Sequence, residues 1–549
     1  MTAPKTRLQV MWNRLLAIVE EQGQALIRAA FSPIVRECGD ISAGIFDAEG
    51  RMIAQAVTGT PGHINTMAEA VKTLRERFCL GEMRPGDIYV TNDPWIASGH
   101  LNDFLLMMPV FVQGQLIGFT SCTSHLVDLG GLGMGPEGSD VQDEGLCIPP
   151  CKLVEAGVIN ALLMDIVKAN SREPVANEGD IYALIAACET GTRRLAEMMQ
   201  EFAITSLQTL ADYIIDTSYR GTLDAIAKLP KGSWSSTLKV DGYEREVTLC
   251  ATLHICADHL LVDFDGTSGL SAKGINVPLN YATAYTVFAL RCLIGPDIPN
   301  NAGSLAPFRV IAPANCILNA QAPAPVAMRH TLGQMTPDLV YGCLSQALPE
   351  QVPAEGASCM YDLPLRHAPG ATGQGQAQFA LELVFSGGTG ARPGLDGLSA
   401  TAFPSGVWGS QVETTEAVAP VLITKRELRP DSGGPGRRRG GLGQRIELRS
   451  AVDQDFLVFL SVERVTNPAR GRFGGGNGAP GRIRLGEGQP DLPGKGELRV
   501  RPGETLIFET PGGGGFGPPT ERNRGDLARD LEDGVISAEA ARNIYGAEE

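Results

Sequence analysis

The sequence predicts a mixed α/β (α+β) fold in several subdomains, with helical middle segments and a β-rich, glycine-rich C-terminal part. Three observations predict it. The 549 residues exceed what one simple core organises, so two to four domains or subdomains are expected. Stretches with apolar residues every three to four positions alternate with short apolar runs, the signatures of helices and strands. The 66 glycines gather in 130–138, 387–397, 432–443, 474–481 and 512–517, with strand-like runs between them. That pattern suits a loop-rich fold with many φ > 0 positions and not a disordered linker.

Residues 7–31 carry Val10, Leu15, Ile18, Val19, Leu26 and Ile27 at helical spacing, and Pro33 stops the helix. In 41–57, two apolar runs flank Asp47-Ala-Glu-Gly50, which predicts a β-hairpin. A helix over 65–79 is expected to open at Asn65 as its N-cap. IYVTND is a strand running into a loop, and FLLMMPVFVQGQLIGFTSCTSHLVD is a hairpin turning at Gln113-Gly114. Residues 180–228 read as helical, 236–267 as three strands, and 277–295 and 331–348 as helices. From about 378 the chain is β-rich, and the polar tail 520–549 is helical with an N-cap signal at Ser537. The expected regions are 1–230 (α/β), 231–375 (mixed) and 376–549 (β-rich with a helical tail). No repeat of 20–50 residues is present.

A net charge of −16 with no basic stripe argues against nucleic acid as a partner. The longest apolar runs fall short of the ~18–20 residues that span a bilayer. The N-terminal stretch lacks the order of a signal peptide, so a cytoplasmic location and reduced thiols for the twelve scattered cysteines are expected. Cys147 and Cys151, like Cys250 and Cys256, lack a matching second pair for a zinc knuckle. There is no G-x-x-x-x-G-K-[ST] and no G-x-S-x-G. The G-x-G-x-x-G matches at 133–138 and 476–481 do not open a helix after a strand.

Seven histidines are few for this length. His254, His259 and His367 read as packed or surface residues, and His330 sits beside Arg329 where a loop enters a helix. His63, His100 and His125 stand apart, each where an element meets a loop. His100-Leu-Asn-Asp103, at the end of TNDPWIASGHLND (91–103), is echoed by His125-Leu-Val-Asp128. Three-residue spacing sets imidazole and carboxylate on one side of a turn, and this donor mix suits Zn, Mn or Fe. The hairpin between the two pairs can bring them together. Ion pairs ordering two loops are the plainer alternative, and Asp40, a lone acid before a strand, reads by itself as a turn former.

Seven ordered segments together resemble the hydantoinase B/oxoprolinase family. They are NRLLAIVEEQGQALIRAAFSP (13–33), GDISAGIFDAEGRMIAQ (39–55), GDIYVTNDPWIASGHLND (86–103), EGLCIPPCKLVEAG (144–157), RPDSGGPGRRRGGLG (429–443), ETPGGGGFGPPTERN (509–523) and ISAEAARNIYG (536–546). The resemblance implies a divalent transition metal held by Asp40, His100, Asp103 and His125, with Asp128 supporting or replacing a ligand. It implies Asp103 or Asp128 as the acceptor of a proton from water, and His63 as a further site residue. The family commonly has a second histidine where this chain has Leu126. The resemblance also implies a hydantoinase A-type partner that binds ATP with Mg, in a hetero-oligomer such as a heterotetramer. The partner would phosphorylate a carbonyl oxygen of a small cyclic amide, a hydantoin or lactam, and metal-activated water would open the ring. A ketone carboxylase subunit is the rival in another reaction class, and a non-catalytic scaffold subunit is the third reading. The modest length leans toward the hydrolase.

Overall fold

The structure is a computed structural model that describes residues 5–368 and 378–547, so the expected boundary at 375/376 lies outside the described residues. Four sheets organise the chain. The first joins β1 (Ile41–Asp47), β2 (Met52–Gln55), β3 (Ile88–Thr91), β4 (Asp103–Val112), β5 (Gln115–His125), β6 (Cys151–Glu155) and β7 (Val158–Ile159). Their order is β2-β1-β5-β4-β3-β6-β7, with every pairing antiparallel. Gln113 (φ 51°) and Gly114 (φ 79°) close the β4–β5 hairpin, the two left-handed residues that a two-residue turn requires.

Helix Lys5–Ala29 lays Leu8, Met11, Leu15, Ile18, Val19 and Leu26 into a core shared with that sheet and with helix Pro174–Glu201. Each such side chain contributes about 1.5–3 kcal/mol by leaving water. The helix expected at 65–79 spans Pro61–Arg77 instead. Pro61 takes its first turn, where a missing N–H costs nothing. Asn65 therefore lies inside the helix and donates to the Ala284 carbonyl (3.1 Å).

The second sheet, ordered β11-β10-β9-β8, is built from β8 (Gly232–Val240), β9 (Val247–Ile255), β10 (Leu260–Asp263) and β11 (Phe308–Ile311). Helices Leu279–Leu293 and Thr336–Ala347 share its core. The last two sheets begin at Tyr361. One orders β13 (Ala380–Phe385), β12 (Tyr361–His367), β16 (Phe456–Ser461) and β18 (Lys495–Val500). The other orders β14 (Val421–Leu428), β15 (Gln444–Ser450), β19 (Leu506–Glu509) and β17 (Arg482–Leu485). Leu363, Leu365 and Leu383 from the first meet Val421, Ile446 and Phe508 from the second in one cluster, so the pair shares a core. The tail forms helices Arg524–Glu532 and Ala538–Asn543, and the Ser537 hydroxyl caps the second by accepting the Ala540 N–H.

Beside these sheets the glycine clusters pack backbone on backbone. Gly441 donates to Thr389 O (2.9 Å), Gly513 to Gly441 O (3.0 Å), Gly434 to Gly513 O (2.8 Å) and Gly515 to Gly476 O (2.9 Å). A Cβ on Gly441 would sit 2.0 Å from Leu398 O, so only glycine fits there. Among the described residues, no helix is long and apolar enough to cross a membrane.

Candidate metal centre

Strand register assembles the centre. Asp103, first in β4, lies directly opposite His125, last in β5. Ile41 of β1 pairs with Ser124, and the His125 N–H donates to Asp40 O (3.2 Å). Asp40, His125 and Asp103 thus line up across three adjacent strand ends. His100 arrives on the irregular segment before β4. Asn92 braces that segment, donating to Leu101 O (2.7 Å) and accepting from Ile148 N–H (2.6 Å), while Asp93 accepts from Trp95 N–H (2.9 Å) to form a turn. Gly99 (φ 90°) packs where a Cβ would come within 3.0 Å of Tyr281, so the chain can approach closely just before His100. His63 projects from the first turn of helix Pro61–Arg77.

These side chains converge on Asp103. His100 Nε2 lies 2.7 Å from Asp103 Oδ1, and His125 Nδ1 lies 3.4 Å from the same oxygen. His63 Nε2 is 3.0 Å and Arg329 Nη2 2.6 Å from Asp103 Oδ2. Asp40 stands 3.5 Å from His63 Nδ1 and 4.0 Å from His125 Nδ1. All are buried. His100, Asp103 and His125 each offer one ligand atom, all within 4.8 Å of one another.

The donor chemistry fits a cation. His100 Nδ1 faces the Ala327 carbonyl at 3.0 Å, and a carbonyl only accepts, so Nδ1 carries the hydrogen. Burial, and then Arg329, push the His100 imidazole down to about 4, so it stays neutral at pH 7. Its Nε2 therefore presents a lone pair to a carboxylate oxygen 2.7 Å away. Burial pushes the Asp103 carboxyl up, yet the positive groups around it, Arg329 among them, hold it well below the usual carboxylate range. Two lone pairs facing each other at that distance repel unless a positive ion joins them. An imidazole whose other nitrogen is tied to a carbonyl is also the usual arrangement of a metal-binding histidine.

Residues from later in the chain surround the centre. Glu382 on β13 brings Oε2 to 2.8 Å from His125 Nε2, a close charge contact without hydrogen-bond alignment. Burial would raise the Glu382 carboxyl, but His125 beside it holds it down. Asp362 on β12 is pushed well up by burial and by Glu382. Arg329 also donates from Nε to Ser98 O (2.8 Å) and stacks 4.2 Å from the Tyr281 ring. His330 lies buried 3.5 Å from Asp362 Oδ2, with no hydrogen-bond partner on either ring nitrogen. The one available cue was Glu382 itself, a lone acid in the apolar run FALELVF.

Asp128 stays outside the cluster, because Arg172 occupies both its oxygens: Nη1 on Oδ1 and the backbone N–H on Oδ2, each at 2.5 Å. Leu126 is fully buried in the apolar core. His254 pairs with Ser233, His259 with Asp258 and His367 with the Phe379 backbone, all away from the centre. All twelve cysteines are free thiols.

The chain is similar to several known proteins in sequence and in fold. A Pseudomonas protein described as the B component of a putative D-/L-hydantoinase is 28% identical, the alignment covering 98% of this chain and 94% of that one. The crystal structure of an ATP-dependent caprolactamase from Pseudomonas jessenii superposes with a TM-score of 0.90 at 28% identity, over 100% of this chain and 96% of that one. An acetone carboxylase structure superposes with a TM-score of 0.83 at 19% identity, over 100% and 80%, a likeness of fold alone. The family described as hydantoinase B/oxoprolinase matches residues 5–519, and the chain belongs to that family.

Proposed function

We propose that this chain is the metal-binding catalytic subunit of an ATP-dependent cyclic amide hydrolase of the hydantoinase or lactamase type. One observation carries the metal: His100, Asp103 and His125 each turn one buried donor atom to a common point, all within 4.8 Å of one another, while His100 Nδ1 faces the Ala327 carbonyl. His100, Asp103 and His125, with Asp40, would hold a divalent Zn, Mn or Fe ion, which would supply the Lewis acidity that lowers the pKa of water to near neutrality. The chain's own residues do the rest. Asp103 collects the two imidazoles and Arg329 about one carboxylate. His63 Nδ1, buried without a hydrogen-bond partner and 3.5 Å from Asp40, is the atom that takes up a proton released at the centre. Burial of every donor keeps bulk water away and strengthens each charge contact. Arg172 holds Asp128 in a structural role, so proton transfer falls to His63 and Asp103.

The sequence carries no P-loop, so an A-type partner that binds ATP and Mg would activate the amide carbonyl by phosphorylation. The hydrolase is preferred to the carboxylase because the caprolactamase and hydantoinase relatives share 28% of residues along nearly the whole chain, whereas the carboxylase shares its fold. The test is to purify the chain with its co-expressed partner, measure bound metal, and follow ATP turnover with hydantoins and lactams against ketones plus bicarbonate. Turnover with cyclic amides is expected. Turnover with ketones alone moves the chain to the carboxylases, and wild-type protein without bound metal leaves the scaffold reading. His100→Ala and His125→Ala should each lose metal and activity while remaining folded. Wild-type metal content in both refutes the ligand set.

A further inference from the structure

His100 is oriented from a distant part of the chain. Its Nδ1–H donates to Ala327 O, in the segment QAPAPVAMR (321–329). Pro323 and Pro325 leave this segment few backbone donors of its own. Two of those that remain, the N–H groups of Val326 and Ala327, both donate to one atom, Glu144 Oε1, at 2.6 and 2.8 Å. The segment returns a bond, since Pro323 O accepts the N–H of Val141, at the start of the short helix Val141–Glu144. Two residues past Ala327, Arg329 reaches Asp103. One carboxyl therefore anchors the stretch that supplies both the carbonyl on His100 and the guanidinium on Asp103.

Packing alone gives Glu144 no reason to be an acid. It is 4% exposed, and among the described residues no cation pairs with it and Oε2 has no partner. Burial pushes its carboxyl up to about 8. Such a group costs stability wherever it ionises, and an apolar side chain of similar size would not. What the carboxyl supplies is an acceptor that two adjacent backbone N–H groups can share.

We propose that Glu144 is a positioning residue of the metal centre: by holding the Val326 and Ala327 amides it fixes the Ala327 carbonyl, which keeps His100 in the Nδ1–H form with Nε2 toward Asp103. The proposal rests on reading His100 as a metal ligand. Removing a group that orients a metal-bound histidine typically costs 10–100-fold in metal affinity.

The test uses the full chain with its partner subunit, in wild-type, E144A, E144D, E144Q and H100A forms. Zinc affinity is measured by competition with a chromophoric chelator, and cobalt loading reports ligand geometry through the visible spectrum. E144A is expected to bind zinc about 10–100-fold more weakly with an altered cobalt spectrum. E144Q, whose Oε1 accepts the same two N–H groups, should restore both. E144D shortens the reach and should fall between them, and it serves as the reading if E144A does not fold. Wild-type affinity and spectrum in E144A and E144D overturn the proposal, as does an E144Q as impaired as E144A. Retention of metal by H100A defeats the ligand reading itself. Loss of metal in H100A alone defeats only the role of Glu144.

Discussion

Asp103 is where the chemistry of single residues concentrates: two of its neighbours are imidazoles at 3.0 Å or closer, and a third is the Arg329 guanidinium. Taking away one partner of a buried pair strands the other charge, at a cost of about 3–5 kcal/mol. Arg329→Ala is therefore expected to destabilise the metal-free chain by that order in a denaturant titration. A divalent cation at Asp103 replaces the missing charge, so zinc should recover much of the loss. Equal stability of variant and wild type without metal would refute the Arg329–Asp103 pair as a support of the fold. His100, Asp103 and His125 were legible because H-x-x-D occurs twice around one hairpin. Arg329, Asp362 and Glu382 were not, since they enter from later strands and loops, and only three-dimensional pairing brings a residue of β13 against His125.

At the scale of elements, strand register does what local spacing cannot. Asp103 and His125 are 22 positions apart (125 − 103) and directly opposed across β4–β5. The hairpin was legible from Gln113-Gly114, so this contact was nearly so. The start of helix Pro61–Arg77 was misread because an asparagine cap signal lay four residues beyond a proline that fixes φ for a first turn. The helix Val141–Glu144 makes a pH prediction. Glu144 ionises near 4.5 when unfolded and near 8 when buried. Between those values the folded chain holds the extra proton, so stability falls as pH rises from about 4.5 to 8 and levels off above. E144Q removes this slope. Thermal midpoints of both proteins across pH 5–8 check it, and parallel profiles would rule it out.

Over the whole molecule, the mixed α/β class and the β-rich C-terminal part were legible from periodicity and glycine clustering. The pairing of non-sequential strands, such as β12 with β16, was not, because hydrophobic alternation names a strand's faces and not its neighbours. Glycine composition suggested loops, and the glycine clusters do lie largely outside helices and strands; that they pack backbone on backbone was not legible from composition. Gly441→Ala is expected to prevent stable folding of the C-terminal part, since its Cβ would meet the Leu398 backbone at 2.0 Å. Gly394→Ala, with nothing within 4 Å, should change stability by no more than about 0.5 kcal/mol. Soluble yield and thermal midpoint compare the two, and equal behaviour would contradict the packing.

The order of synthesis gives the divided centre a further consequence. Asp40, His100, Asp103 and His125 leave the ribosome early, while Ala327 and Glu382, which aim the two imidazoles, follow only after the middle of the chain has been made. A nascent chain thus exposes these imidazoles and carboxylates before it can orient them. On the proposed metal reading, selective capture of the ion is then a property of the finished polypeptide, and loading would belong after translation.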